Sequence, residues 1–246
     1  MAAVLFGNDP AKVARYRAFW ARDAVKRPLV GFSLVGWFPM QEFAARRAWG
    51  SADYLTPEMI DLEAFLEDLF RLLAEGEQVD DDLIRGACPA QAAIPWIPGM
   101  LGCRLRILPN NVLGEERHLS WTEALQVRLD PRNLWYRKYL EFASALAHAA
   151  NGAFPVSHGP ELGPTDLHAV LRGQTQSILD LVDEPEQSVQ LLWRLGEIFR
   201  AVTEQLWERL PLFCGGYFDA QYSLWAPGPI IRMQEDATAI YSPALY

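Results

Sequence analysis

The chain has 246 residues, half of them hydrophobic, with nine Trp and a formal net charge of -9 at pH 7. A chain of this length and composition can bury a substantial single core, which argues against a disordered segment. The acidic balance, with no basic run beyond Arg46-Arg47, argues against a nucleic-acid surface, which needs clustered Lys and Arg.

The opening residues 1–10 lack the basic start and long apolar core of a secretory signal. The longest apolar stretch, near residues 29–40, is too short and too broken to span a bilayer. Cys88, Cys103 and Cys214 are widely spaced and form neither a disulfide framework nor a C-x-x-C zinc pair. A reducing, cytoplasmic setting is expected, with no nucleic-acid or membrane partner.

Asp9-Pro10 supplies an N-cap and a first-turn proline, which predicts a helix running to about Asp23. Residues 29–32 are the first candidate strand. Thr56-Pro57 predicts a second helix, with Leu62, Phe65, Leu66, Leu69 and Leu73 on one face. Residues 86–102, with Pro89, Pro95 and Pro98, read as a long loop whose aliphatic content and Trp96 make it a packed lid. Residues 104–107 form another candidate strand. Asp130-Pro131 predicts a third helix carrying Trp135, Tyr139, Phe142, Ala143, Leu146 and Ala150 at helical spacing, stopped by a left-handed Gly152.

Residues 154–157 read as a buried strand, followed by a tight polar loop and a short helix that ends at Gly173. Glu184-Pro185 opens a long helix with Val189, Leu192, Leu195, Phe199, Val202 and Leu206 as its buried stripe. Residues 213–217 and 229–233 complete the candidate strands. Continuous apolar runs alternating with long helices predict a parallel sheet covered on both faces, either a (β/α) barrel or a doubly wound sheet. The absence of a glycine-rich phosphate loop after any strand disfavours a nucleotide-binding version.

Four stretches carry a family resemblance. They are Pro28-Leu-Val-Gly-Phe-Ser33 with Gly36-Trp-Phe-Pro-Met-Gln-Glu-Phe43; Ile97-Pro-Gly-Met-Leu-Gly-Cys-Arg-Leu105; Gly163-Pro-Thr-Asp-Leu-His-Ala-Val-Leu-Arg-Gly173 with Asp180-Leu-Val-Asp-Glu-Pro-Glu186; and Trp225-Ala-Pro-Gly228 through Gln234-Glu-Asp236 and Ser242-Pro243. In this order the chain resembles the uroporphyrinogen decarboxylase superfamily, which includes cobalamin-linked methyltransferases. The resemblance implies one domain over residues 1–246, of the (β/α)8 barrel type, with N-terminal helices covering the barrel. Family members are longer, and Ser242-Pro243 starts a helix with only three residues after it, so the expectation is a barrel lacking its C-terminal part.

The departures bear on function. The positions where true decarboxylases carry porphyrinogen-gripping arginines are Ser33 and Trp37 here. The catalytic aspartate falls near Ala93 and a tyrosine of the central motif falls on Ala169. A tetra-anionic substrate without arginine partners is poorly bound, so uroporphyrinogen decarboxylation is not expected. The methyltransferase branch implies methyl transfer between a small methylated compound or thiol and a corrinoid on a partner protein. It also implies a zinc held by His and two Cys, expected past residue 246, with no metal ligand in this chain. The alternatives are decarboxylation of another small acid and a binding module without chemistry.

Strand ends line the active site in barrels, which singles out His158, either as a donor or base facing the cleft or as a histidine bonded to its own loop. Glu161, in the same loop, is a second polar candidate. Glu235 and Asp236 end the last candidate strand and can act as a carboxylate pair, or one of them pairs with an Arg or caps the Ser242 helix. His158, Asp236 and Glu235 are therefore the catalytic candidates. Ser33, Trp37, Trp96, Glu161, Tyr217, Asp219 and Trp225 are the substrate-binding candidates, the aromatics suiting a flat apolar ligand or packing the lid. Asp166 reads as a helix cap, Arg172 as a structural partner of an acid, and His168 as a packed helix residue.

Overall fold

The computed structural model describes Phe6 and residues 8–33, 39–90, 93–159 and 161–243. Helix starts follow local chemistry. The Asp9 carboxylate accepts from the Lys12 N–H and Pro10 opens α1 (Pro10–Ala21), which ends where Arg22 turns left-handed. The second helix does not begin at Thr56-Pro57. Pro57–Met59 make a short 3-10 turn, and Asp61 caps α2 (Leu62–Gly76) by accepting from the Ala64 N–H.

The proline-rich loop contains α3 (Trp96–Met100), whose residues are all buried. Ser120 and Glu123 cap each other's N–H groups in a reciprocal box at α4 (Trp121–Ala124). The next helix, α5 (Leu134–Ala150), starts at Asn133, whose side chain accepts from both Trp135 and Tyr136 N–H; Asp130-Pro131 lies in the turn before it. Asn151 takes the left-handed position at its end, one residue before Gly152.

The short helix after the polar loop is α6 (Pro164–Arg172), and α7 (Gln174–Asp183) follows at once. The chain turns between them at Gly173, whose φ of +97° strains any residue with a Cβ. The long helix is α8 (Pro185–Trp207). Its buried stripe runs through Leu191, Leu195, Ile198, Phe199, Val202 and Leu206, while Val189 points to solvent.

Strands are short. β1 (Tyr54–Leu55), β2 (Leu105–Ile107) and β3 (Val112–Gly114) make one antiparallel sheet, because the tight link between β2 and β3 leaves no room for a crossover. Residues 29–32 do not form a strand. Their N–H groups go instead to carboxylates, Val30 to Asp82 and Phe32 to Asp81, and Val30 and Phe32 remain exposed.

Among the described residues parallel pairing occurs twice. Ala87 and Val156 form a parallel bridge, with Ala87 N–H on the Pro155 carbonyl at 3.0 Å and Ser157 N–H on the Ala87 carbonyl at 2.9 Å. Just beyond lies β4 (Glu161–Leu162). A hairpin of β5 (Tyr217–Asp219) and β6 (Leu224–Ala226) follows α8, and β7 (Met233–Gln234) then returns to pair in parallel with β4. The described residues thus make three small sheets and no closed barrel.

The larger core joins α2, α3, α5, α6 and α8 around Phe65, Trp96, Tyr139, Phe142, Leu167 and Leu195. A smaller core under α1 contains Val13, Tyr16, Ile84, Phe213, Phe218 and Trp225. Among the described residues no helix is long and apolar enough to cross a membrane.

Candidate functional site

Residues 157–161 leave the bridged segment and run into β4, so this polar loop is held at both ends by parallel pairing. Ser157 fixes its start. The Ser157 hydroxyl donates to the His158 carbonyl at 2.8 Å and accepts the Ala220 N–H at 3.0 Å, which ties the loop to the β5–β6 hairpin.

His158 is 2 % exposed. Its Nδ1 lies 2.7 Å from the Gly159 carbonyl oxygen. A carbonyl only accepts, so Nδ1 carries the ring proton and Nε2 of the neutral ring is an acceptor. Nε2 is buried and has no hydrogen-bond partner. Burial pushes His158 below the usual histidine range, against the pull of the Gly159 carbonyl and the Asp219 carboxylate.

Glu161 is buried at the next turn of the loop. Its Oε2 accepts the Ile97 N–H of α3 at 3.4 Å, and its Oε1 is buried with no partner. Burial raises its pKa to about 8, although the Ile97 amide and the Tyr139 hydroxyl both favour the ionised form. At neutral pH the side chain is therefore a carboxylic acid with a proton to give. Tyr139, fully buried on α5, accepts the Gly159 N–H on its hydroxyl at 3.3 Å. Its ring leans on Trp96, with centroids 5.2 Å apart, and Trp96 is itself held by an Nε1–H bond to the Pro89 carbonyl.

His158 and Glu161 thus share one buried loop. Asp219 belongs to the same neighbourhood: it is buried, acts on His158 electrostatically, and closes its own turn by accepting the Tyr222 N–H at 3.0 Å. Trp96 backs the site as the support of Tyr139.

The other candidates are placed differently. Tyr217 stacks edge-on against Trp207 and lines a cavity of about 150 Å³ behind Ser157, whose walls include Val156, Phe213 and Phe218 but neither His158 nor Glu161. Trp225 sits in the smaller core, its Nε1–H on the Phe213 carbonyl and the Arg17 guanidinium over its ring. Ser33 is exposed, and Trp37 lies outside the described residues.

The carboxylate pair is split between two jobs. Glu235 accepts the Thr165 N–H at 2.9 Å and the Thr165 hydroxyl, which places a negative charge at the start of α6. Asp236 is exposed and accepts from the Gln234 amide at 2.7 Å. Asp166 caps nothing of its own helix; it accepts the Ala237 N–H at 2.7 Å and ties the turn after β7 to α6. The pairing foreseen for Arg172 is present: it grips Asp180 at 2.7 Å, with His168 buried alongside and the Trp121 ring beneath the guanidinium.

A zinc site is not served by these residues. Among the described residues, no three His, Cys, Asp or Glu side chains are grouped so as to hold a metal. Cys88 and Cys103 lie in different cores and Cys214 is exposed. Burial pushes the Cys103 thiol up to about 12, which keeps it protonated and a poor ligand.

Sequence reasoning missed Tyr139 and Ser157. Tyr139 occupies a core position of a helical stripe, where its apolar ring is the visible signal and its hydroxyl is not. The chain matches no known protein family, and no curated protein or solved structure is similar to it.

Proposed function

We propose that the chain is a small-molecule enzyme in which Glu161 gives its proton to a substrate oxygen as a bond to that oxygen breaks. The observation that carries this reading is the buried Glu161 carboxyl, held neutral to about pH 8 with Oε1 lacking a partner. A positioned acid with a pKa near the working pH is well suited to general acid catalysis. His158 sits in the same loop, its Nδ1 fixed on the Gly159 carbonyl and its ring under the influence of the Asp219 carboxylate and the Ile230 backbone, and is the second polar group of the site.

The reaction class comes from the sequence resemblance: transfer of a methyl group from a small methylated compound to a corrinoid on a partner protein. Glu161 supports the donor side of that reaction. A thiol acceptor must lose a proton, whereas an oxygen that loses a methyl must gain one. The carbon–oxygen bond breaks with its electron pair left on oxygen, Glu161 protonates that oxygen, and the methyl carbon passes to the acceptor. The corrinoid, when bound, supplies the nucleophile that accepts it. A (β/α)8 arrangement belongs to this reading and is supported by the two parallel pairings at residues 87/156 and β4/β7. A reducing cytoplasmic setting also belongs to it, supported by three cysteines too widely spaced in the sequence for a disulfide framework.

The test mixes the purified full chain with cob(I)alamin and an O-methyl compound, methanol or methoxybenzene, and follows the cobalamin spectrum. Methylcobalamin should form, and Glu161→Gln should slow it about 100-fold or more, the usual weight of a general acid. No methylcobalamin with either donor, CO₂ release from a carboxylic acid without cobalamin, or full activity in Glu161→Gln would each overturn the proposal.

A further inference from the structure

We infer that the cavity behind Ser157 is a binding site for a small neutral aromatic molecule, one ring wide and carrying a hydroxyl group. The inference does not rest on the role given to Glu161, whose side chain is not among the cavity walls.

The walls are aromatic and already in place. Trp207 ends α8 and Tyr217 opens β5, and their rings meet edge to face with centroids 5.4 Å apart. Phe213 and Phe218, both buried, add two more rings, and the exposed Leu212 stands at the rim. Such surfaces favour a flat apolar guest. Phe213 and Gly216 exchange both backbone hydrogen bonds, at 3.1 and 3.0 Å, and a Cβ on Gly216 would run into the Trp225 ring. A wall fixed in this way lowers the ordering cost of binding.

Size and charge narrow the guest. The cavity holds about 150 Å³. An apolar protein cavity of about that volume accommodates a benzene ring. Among the described residues that line it none is charged, so an ion would lose its water without gaining a counter-charge. The guest is therefore neutral.

Val156 assigns the hydroxyl. The Pro155 carbonyl and the Ser157 N–H both turn to Ala87. Backbone groups alternate in direction along an extended segment, so the N–H and C=O of Val156 face away from Ala87. Among the described residues neither group has a hydrogen-bond partner, although Val156 is buried and lines the cavity. Buried backbone groups are nearly always paired. A guest hydroxyl, at once donor and acceptor, suits both. The Ser157 hydroxyl does not serve them: its proton goes to the His158 carbonyl, and it accepts from the Ala220 N–H.

The test titrates phenol into the nitrogen-15-labelled full chain and follows the amide signals by NMR. Those of Val156 and Tyr217 should move saturably, with a Kd of about 1 mM, a reasonable affinity for about seven heavy atoms. Benzene, which lacks the hydroxyl, should bind about tenfold more weakly, and benzoate, which is charged, should move neither signal. Tyr217→Ala removes one wall and should weaken phenol about tenfold. Should that variant fail to fold, the wild-type signals still show whether phenol binds and where. No saturable shift at phenol about tenfold above that Kd would mean that the cavity takes water alone, and would overturn the inference. So would shifts centred away from Val156 and Tyr217, benzene or benzoate matching phenol, or unchanged phenol affinity in a folded Tyr217→Ala. The titration needs neither corrinoid nor turnover, so its failure and the failure of the methyl-transfer reading are separate results.

Discussion

Glu161 and Glu235 are the same residue type on adjoining, paired segments, and their surroundings give them opposite roles. Glu235 meets N–H and O–H donors at a helix start and serves as a charged cap. Glu161 meets a single amide, a phenol and apolar walls, and stays neutral. An unfolded Glu ionises near pH ~4.3. The folded protein therefore keeps a proton that the unfolded chain releases above that pH. Its stability declines as pH rises from about 4 to about 8 and is flat beyond, by an amount of order a few kcal/mol. Glu161→Gln removes this slope. Thermal melts taken between about pH 5 and about pH 8 should show the variant gaining roughly 5–10 °C relative to wild type, and parallel curves would count against a buried neutral acid. His158 and Glu161 were legible in sequence as polar groups of one loop; that Glu161 itself opens β4, and that residues 154–157 make only a bridge at Val156, was not. The nearness of Tyr139 to Glu161 was not legible either, because Tyr139 is 22 residues away and spaced like a core residue.

At the scale of elements, local rules place helices well and their first residues less well. Asp9, Ser120 and the proline starts act where they stand, whereas Thr56-Pro57 and Asp130-Pro131 give way to Asp61 and Asn133. In both misses a second acceptor lies within a few residues, and packing of the apolar stripe selects between them. The Glu235 contact with α6 is of the same kind but comes from a distant segment, which sequence cannot show. Glu235→Ala should cost about 1–2 kcal/mol by removing a charge and an acceptor at the α6 start, with activity within about twofold. Denaturant titration beside the methyl-transfer assay checks it. A variant of unchanged stability and activity lost about 100-fold would return Glu235 to the catalytic set.

At the scale of the whole molecule, a charge network built on two buried carboxylates fastens α1 to the rest. Asp82 takes Arg27, Arg15 and the Val30 N–H, while Asp81 takes Arg85 and the Phe32 N–H. The Arg27 hydrogen bonds hold the Asp82 carboxyl down at about 2. Its folded pKa lies below the unfolded value near ~3.9, so its contribution is present above about pH 4 and is lost as pH falls toward 2. Protection of the α1 amides, corrected for the intrinsic exchange rate at each pH, should therefore fall below about pH 4. Asp82→Asn should show faster exchange, about tenfold, already at neutral pH. Exchange at α1 unchanged in the variant would mean that the apolar contacts of Val13 and Tyr16 hold this helix by themselves.

By itself the sequence determined what short-range chemistry controls: an acidic chain with a large core, amphipathic helices with the Asp9-Pro10 and Glu184-Pro185 starts, and a polar loop ahead of a short helix. The tertiary structure alone decided which distant segments pair, Ala87 with Val156 and Glu161 with Met233. That pairing draws Glu161 out of water and against Tyr139 and Ile97. Periodicity and capping reach only a few residues along the chain, whereas desolvation depends on every atom within a few ångströms, whatever its place in the sequence.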